Sequence, residues 1–223
     1  MKTAVICAME EEIRPIIDVI PNTLRRREAG IELCEIDFDG HQVLIALSGV
    51  GKANAASCAQ HLISAHGCGR IINIGMAGSC GSVPLGGVIV PDTAVYHDLP
   101  MEWVKMQSPF VDSFTPDESL AKLAVSICSQ LDIPCSRGTL ATGERFVNDS
   151  ADRADIRART GCSCIDMEGA AIAHVAMKNG VPFACIKIMS DSADDVAQDS
   201  FNNSIKEYRL RSAAIVYGML TEL

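Results

Sequence analysis

Two acidic stretches, each set directly after an apolar run, carry the densest candidate chemistry in this 223-residue chain. One is Ile165-Asp166-Met167-Glu168-Gly169-Ala170-Ala171; the other is Ile188-Met189-Ser190-Asp191-Ser192-Ala193-Asp194-Asp195. The runs before them, Cys162 to Ile165 and Phe183 to Met189, have strand character, and Gly169 to Asn179 between them is helix-like, closed by Gly180-Val181-Pro182. Strand, helix and strand at this length read as a βαβ unit with parallel strands. Open parallel sheets place the ligand crevice beyond the carboxyl ends of their strands. On this reading Glu168 and Asp191 emerge at one crevice, where two carboxylates suit proton-handling chemistry. A third acidic group, Glu10-Glu11-Glu12, follows the strand candidate Thr3 to Ala8. Plainer uses exist for two of these. Glu10 to Glu12 fit a first helical turn that suits the helix dipole, and Asp191 could cap a helix at Ser192. Glu168 is harder to read as structural, because glutamate is seldom buried unpaired.

The elements needed to position these groups can be followed along the chain. After Glu12, Ile13, Ile16, Ile17 and Ile20 form an i, i+3, i+4, i+7 helical stripe, with Pro15 fitting its first turn. Ile31 to Phe38 and Gln42 to Leu47 flank Asp39-Gly40, a strong hairpin signal. Ser48-Gly49-Val50-Gly51-Lys52 leads into an Ala-rich helix ending near His66-Gly67. It is not a Walker loop, since its spacing is too short and Ala53 stands where a magnesium-binding hydroxyl belongs. Ile71 to Ile74 is a strand followed by the small-residue loop Gly75-Met76-Ala77-Gly78, which lets a ligand approach the backbone. Gly87 to Val90 and Gly138 to Ala141 are strands, the second ending in Thr142-Gly143-Glu144-Arg145-Phe146. Tyr96 to Pro116 reads as a long loop or lid. Leu120 to Leu131, Ser150 to Thr160 and Ser200 to Leu223 are helices, the last with Ile205, Tyr208, Ala213, Val216 and Leu220 as its apolar positions. With no repeat or linker, residues 1–223 read as a single domain.

Composition narrows the partners. A chain of this length buries roughly 70% of its unfolded surface without covalent staples. The net charge of −9 gives no footprint for nucleic acid or an anionic membrane, so a neutral or cationic small molecule is the easier partner. None of the ten cysteines is spaced C-x-x-C, and most sit in apolar runs, where a reduced thiol acts as a small hydrophobe. The apolar run after Lys2 stops at Glu10, too soon for a secretory signal, and no window approaches the roughly 20 apolar residues of a spanning helix. These features predict a cytoplasmic protein.

Together, in this order and spacing, several motifs resemble the nucleoside phosphorylase/hydrolase superfamily, and within it the 5′-methylthioadenosine/S-adenosylhomocysteine nucleosidases. They are Ala8-Met9-Glu10-Glu11-Glu12, Ser48 to Lys52, Asn73-Ile74-Gly75-Met76-Ala77-Gly78, Tyr96-His97-Asp98, Asp166-Met167-Glu168 and Ser190 to Asp194. The resemblance implies an α/β fold: three αβα layers around a central mixed twisted sheet. It also implies hydrolysis of an adenine N-glycosidic bond through an oxocarbenium-like transition state. Asp191 would protonate the departing adenine at N7, which requires a raised pKa. Glu12 would orient and deprotonate water, the nucleophile. Glu168 would accept the ribose hydroxyls, Met167 would pack under the sugar, Phe146 would stack on adenine, and the Val147 backbone would read its edge. Met76, Ala77 and Gly78 would line the substrate, and His97 could reach the site while His174 sits on a helix face.

This chemistry calls for neither metal nor organic cofactor, and the resemblance implies a homodimer in which the partner completes the 5′ pocket. The sequence departs from the family where Met76 replaces a usual serine, where Lys187 replaces a usual arginine, and in a shortened loop carrying Leu99 to Trp103. Those departures leave the preferred 5′-substituent open. The alternatives are a purine nucleoside phosphorylase, a hydrolase of another nucleoside such as futalosine, and a non-catalytic nucleoside-binding protein. Retention of Glu12, Glu168 and Asp191 argues against the last.

Overall fold

Apolar residues run without interruption through the second half of the first strand, and each of its faces meets a different set of helices. A computed structural model describes residues 1–18, 24–81, 83–194 and 197–223. The chain begins with β1 (Lys2–Cys7), α1 (Glu10–Asp18), β2 (Leu24–Glu28), β3 (Ile31–Phe38), β4 (His41–Leu47) and α2 (Lys52–His66). It continues with β5 (Cys68–Ser79), β6 (Val88–Tyr96), α3 (Met101–Lys105), α4 (Glu118–Gln130) and β7 (Cys135–Thr142). Last come α5 (Ser150–Thr160), β8 (Cys164–Asp166), α6 (Gly169–Lys178), β9 (Phe183–Asp191) and α7 (Ala197–Thr221). In β1, Ala4 and Ile6 pack with Ala55 and Leu62 of α2 and Ala170 and Ala173 of α6. Val5 and Cys7 belong to the opposite cluster, with Ile13 and Ile16 of α1, Ile127 of α4 and Ile215 of α7. This is the period-two pattern of a strand buried on both faces.

The strands form one mixed sheet in the order β2-β3-β4-β1-β5-β8-β7-β6-β9, and β9 also pairs with β5. Five strands therefore close into a ring, so the sheet is not an open one. The predicted hairpin forms, with Phe38 opposite His41 across Asp39 and Gly40, both at positive φ.

The βαβ reading of the acidic stretches is corrected. β9 runs parallel to β5 but β8 runs antiparallel to it, so β8 and β9 have opposite directions. An apolar run discloses a strand but not which way it will pair. The crevice is shared all the same, because β8 has three residues and meets β5 only at Gly78 and Ser79. Asp191, at the end of β9, lies opposite the same Gly78. Gly75 to Gly78 is likewise not a loop but the continuation of β5.

Smaller corrections have local causes. α1 starts at Glu10, which places Pro15 beyond the first turn, and Ile20 lies outside the described residues. β6 continues through Pro91 because an irregularity between Pro91 and Thr93 absorbs the missing donor. The edge strand β2, Leu-Arg-Arg-Arg-Glu, has no apolar alternation and was invisible to pattern reading. α7 begins at Ala197; Ala213, Val216 and Leu220 are buried, while the Ile205 side chain lies outside the described residues. All ten cysteines are free, and Cys135 alone is not fully buried. No helix among the described residues is long and apolar enough to cross a membrane.

The segment read as a lid contains α3 and is fastened at its far end. Phe114 is fully buried, exchanges backbone hydrogen bonds of 2.8 and 2.9 Å with Ala94, and stacks on His174 with ring centroids 4.9 Å apart. Truncating a buried phenylalanine removes its transfer energy and leaves a cavity. Phe114→Ala is expected to cost about 3–5 kcal/mol, measured as a shift of the urea midpoint at unchanged slope.

Candidate active site

α1 follows β1 after two residues, and its third residue turns back on the helix start. Glu12 Oε2 accepts the Ala8 N–H at 2.9 Å and the Met9 N–H at 3.0 Å. A glutamate at this position satisfies donors that the first helical turn leaves open, as in one half of a capping box. Its other oxygen, Oε1, accepts the Met76 N–H of β5 at 2.8 Å. The capping use and the site use thus belong to one side chain. Burial pushes the Glu12 pKa up, while the Met76 N–H and nearby Lys187 oppose the rise. Gly75 makes the approach possible, since a Cβ there would stand 2.7 Å from Oε1.

The same strand receives Asp191. Its Oδ1 accepts the Ala193 N–H at 2.8 Å, and Oδ2 accepts the Ser190 hydroxyl at 2.7 Å. The side chain is buried, and that burial raises its pKa against these two bonds, with Asp194 adding to the rise. A Cβ on Gly78 would lie 3.0 Å from Asp191 Oδ1 and 2.8 Å from Ala193 Cβ. Glycines at these two positions of β5 let both carboxylates lie against its backbone.

Glu168 stands at the start of α6, where Oε1 accepts the Gly51 N–H at 2.8 Å. Gly51 holds φ +97°, a conformation that glycine reaches without strain. The Ser48 to Lys52 turn thus serves a carboxylate. Burial and the neighbouring Asp166 push the Glu168 pKa up to about 7. Beneath it, Asp166 Oδ2 accepts the Lys187 ammonium and the Gly169 N–H, both at 2.8 Å. Thr142 donates to Asp166 Oδ1 and accepts the Ala170 N–H at 2.9 Å. Lys187 therefore pairs with Asp166 rather than directly with Glu168, and its ammonium is held beneath the pocket.

These groups border a cavity of about 370 Å³ with mostly apolar walls, a size suited to a small ligand. Glu12, Asp191, Glu168 and Met167 line it, as do Phe146, Val147, Met76, Ala77 and Gly78. Other lining residues were given no role from the sequence, among them Asp166 as a wall, and Gln198 and Phe201, which lie outside every motif. Phe201 stands edge-on to Phe146 with centroids 5.9 Å apart. Lys187 alone within an apolar strand was the available signal for Asp166, because a buried lysine requires a partner. Phe201 offered no signal beyond its place in a helix. His97 lies instead in a separate hollow with Asp98, and His174 sits on α6 beside Tyr96 and Phe114.

A family model for the phosphorylase superfamily matches residues 2–221. The chain is similar to the 5′-methylthioadenosine/S-adenosylhomocysteine nucleosidase of Bacillus thuringiensis strain Al Hakam, 32% identical over 231 residues with 100% of both chains covered. Among solved structures it is similar to native futalosine hydrolase of Helicobacter pylori strain 26695. That likeness has a TM-score of 0.94 and 25% identity, covering 100% of this chain and 98% of the other. It is also similar to the 5′-methylthioadenosine/S-adenosylhomocysteine nucleosidase from Neisseria meningitidis in complex with methylthio-immucillin-A. There the TM-score is 0.93 and the identity 29%, covering 100% of this chain and 99% of that one.

The Lys187–Asp166 pair yields a stability prediction. Removing one partner leaves an uncompensated buried charge, which costs about 3–5 kcal/mol, whereas replacing both removes that penalty. Lys187→Met is expected to lose stability on that scale in chemical denaturation, and adding Asp166→Asn is expected to recover much of the loss. A double variant no more stable than Lys187→Met would contradict the pairing.

Proposed function

Because the chain belongs to the phosphorylase superfamily and, within it, to the 5′-methylthioadenosine/S-adenosylhomocysteine nucleosidases, we propose that it hydrolyses the N-glycosidic bond of those adenine nucleosides. The observation that carries the reading is one cavity flanked by two buried carboxylates, Glu12 and Asp191, whose pKa values are both raised and which both lie against β5. Asp191 in its protonated form gives a proton to N7 as the base departs. Glu12 in its ionised form takes a proton from the attacking water. The base leaves as neutral adenine, the sugar gains hydroxide, and the two carboxyl groups exchange their proton through solvent before the next turnover. Glu168 accepts the ribose hydroxyls, Met167 packs beneath the sugar, and Phe146 stacks on the base whose edge the Val147 backbone reads. Met76, Ala77 and Gly78 form the floor. None of these steps calls for a metal or organic cofactor.

Water rather than phosphate is the nucleophile in this reading. Glu12 would repel an anion in a low-dielectric pocket, and the Lys187 ammonium is already held by Asp166. The likeness to futalosine hydrolase favours a second reading, hydrolysis of the same bond in futalosine. We further read the two helical faces as a three-layer αβα domain and the protein as a cytoplasmic homodimer. Exposed Val50 at the cavity and exposed Trp103, Met106 and Phe110 after Asp98 support a second copy completing the pocket.

Three measurements test this. The pH profile of kcat/KM should fall as pH rises through the raised Asp191 pKa, because the acid is lost, and as pH drops through the raised Glu12 pKa, because the base is lost. Asp191→Asn should lower kcat about 10²- to 10⁴-fold while the nucleoside still binds. In a panel of 5′-methylthioadenosine, S-adenosylhomocysteine, adenosine and futalosine, the first two should release free base fastest at a rate independent of phosphate. Ribose 1-phosphate products with saturation in phosphate would replace the hydrolase by a phosphorylase. Release from futalosine alone would select the second reading.

A further inference from the structure

Away from the cavity, three metal-type donors converge where the edge strand meets α2. Glu28 is the last residue of β2, the outermost strand of the sheet, while His61 and His66 lie on α2 with His66 in its final turn. Both imidazoles direct Nε2 at one atom, Glu28 Oε1, at 3.0 and 3.1 Å. The three donor atoms all lie within 4.8 Å of one another. Tetrahedral zinc has bonds of about 2.0–2.1 Å, which sets neighbouring ligand atoms about 3.3 Å apart. Small side-chain rotations would therefore seat a cation among these atoms without moving backbone.

The surroundings support that use. Side-chain exposure is 21% for His61, 12% for His66 and 37% for Glu28, so solvent can deliver an ion and supply a fourth ligand. The second carboxylate oxygen, Glu28 Oε2, accepts Arg26 Nε at 3.2 Å, and Arg26 Nη1 is held by Glu35 at 2.6 Å. A hydrogen bond to the free oxygen is how outer groups orient a ligating carboxylate. The ring planes stand 73° apart, so the two lone pairs approach from different directions. In the metal-free chain each imidazole can donate its Nε2 proton to Glu28. When a metal binds, the imidazoles stay neutral with their protons on Nδ1.

We propose that Glu28, His61 and His66 form a divalent-metal site of the zinc class that fastens β2 to α2. Two imidazoles and one carboxylate suit zinc, whereas calcium and magnesium favour shells of oxygen. The site is separate from the nucleoside cavity and does not rest on the proposed reaction.

The test is calorimetric titration of the chelator-treated protein with Zn²⁺ alone, paired with X-ray absorption of the product. One zinc per chain is expected, with only nitrogen and oxygen neighbours near 2.0 Å and a higher Tm. The paired substitutions His61→Ala and His66→Ala should weaken binding at least tenfold and abolish the Tm rise, with circular dichroism confirming the fold. Glu28→Gln, on an exposed edge, provides a second variant with the same expectation. Absence of uptake would overturn the site. So would uptake unchanged in the variants with sulfur neighbours near 2.3 Å, since that would place zinc on thiols.

Discussion

Four carboxylates, Glu12, Asp166, Glu168 and Asp191, are withdrawn from water around one cavity, and Lys187 is the only lysine or arginine buried with them among the described residues. Withdrawing that much charge is costly unless hydrogen bonds replace the lost hydration. Backbone N–H groups supply most of them: Ala8, Met9 and Met76 to Glu12, Gly51 to Glu168, Gly169 to Asp166, and Ala193 to Asp191. Most of these donors come from a helix start, a strand end or a tight turn, and Met76 lies in β5 past the end of its pairing with β1 at Asn73. The fold around the site can be understood as an arrangement that delivers such donors to one point. β8 needs only three residues because its task is to carry Asp166 and Glu168 to the end of β5.

Desolvation acts alike on these carboxylates but serves different ends. For Asp191 a raised pKa would suit the proposed role, because a general acid must hold its proton near neutral pH. Glu168, pushed up to about 7 by burial and by Asp166, would be partly protonated in the empty pocket. Ribose hydroxyls donating to it would favour the ionised form, replacing the water that burial removed. Substrate binding would then restore the charge that an oxocarbenium-like sugar needs nearby. Glu12 lies between these cases, raised by burial yet held by three backbone donors and the field of Lys187.

Much of this was legible in the sequence, for definable reasons. The β3–β4 hairpin was written in Asp39-Gly40, and α1 in the spacing of Ile13, Ile16 and Ile17, because turn chemistry and periodicity are local properties. The positions that gather at the cavity were legible from motif order. Strand direction was not, since β8 pairs antiparallel to β5 through contacts more than eighty residues apart in the chain. β2 was hidden because an edge strand facing solvent needs no apolar face. The role of Gly75 and Gly78 was misread for a related reason. Small residues suggested a loop, but they mark a buried strand that carboxylates approach closely.

Two of the three departures from the family pattern have structural readings. At position 76 the backbone N–H, not the side chain, grips Glu12, so methionine in place of serine leaves that bond intact. A serine at this lining position would offer a hydroxyl that methionine lacks, so the water in the proposed reaction would depend more on Glu12. At position 187 an arginine fork would seek both oxygens of a carboxylate. Here Asp166 Oδ1 is occupied by the Thr142 hydroxyl, and Oδ2 is shared between Lys187 and the Gly169 N–H. A single-point ammonium fits that arrangement, because Thr142 and the start of α6 already supply the donors that a second guanidinium nitrogen would bring. Lysine is therefore consistent with the same buried charge balance, reached through different hydrogen-bond partners.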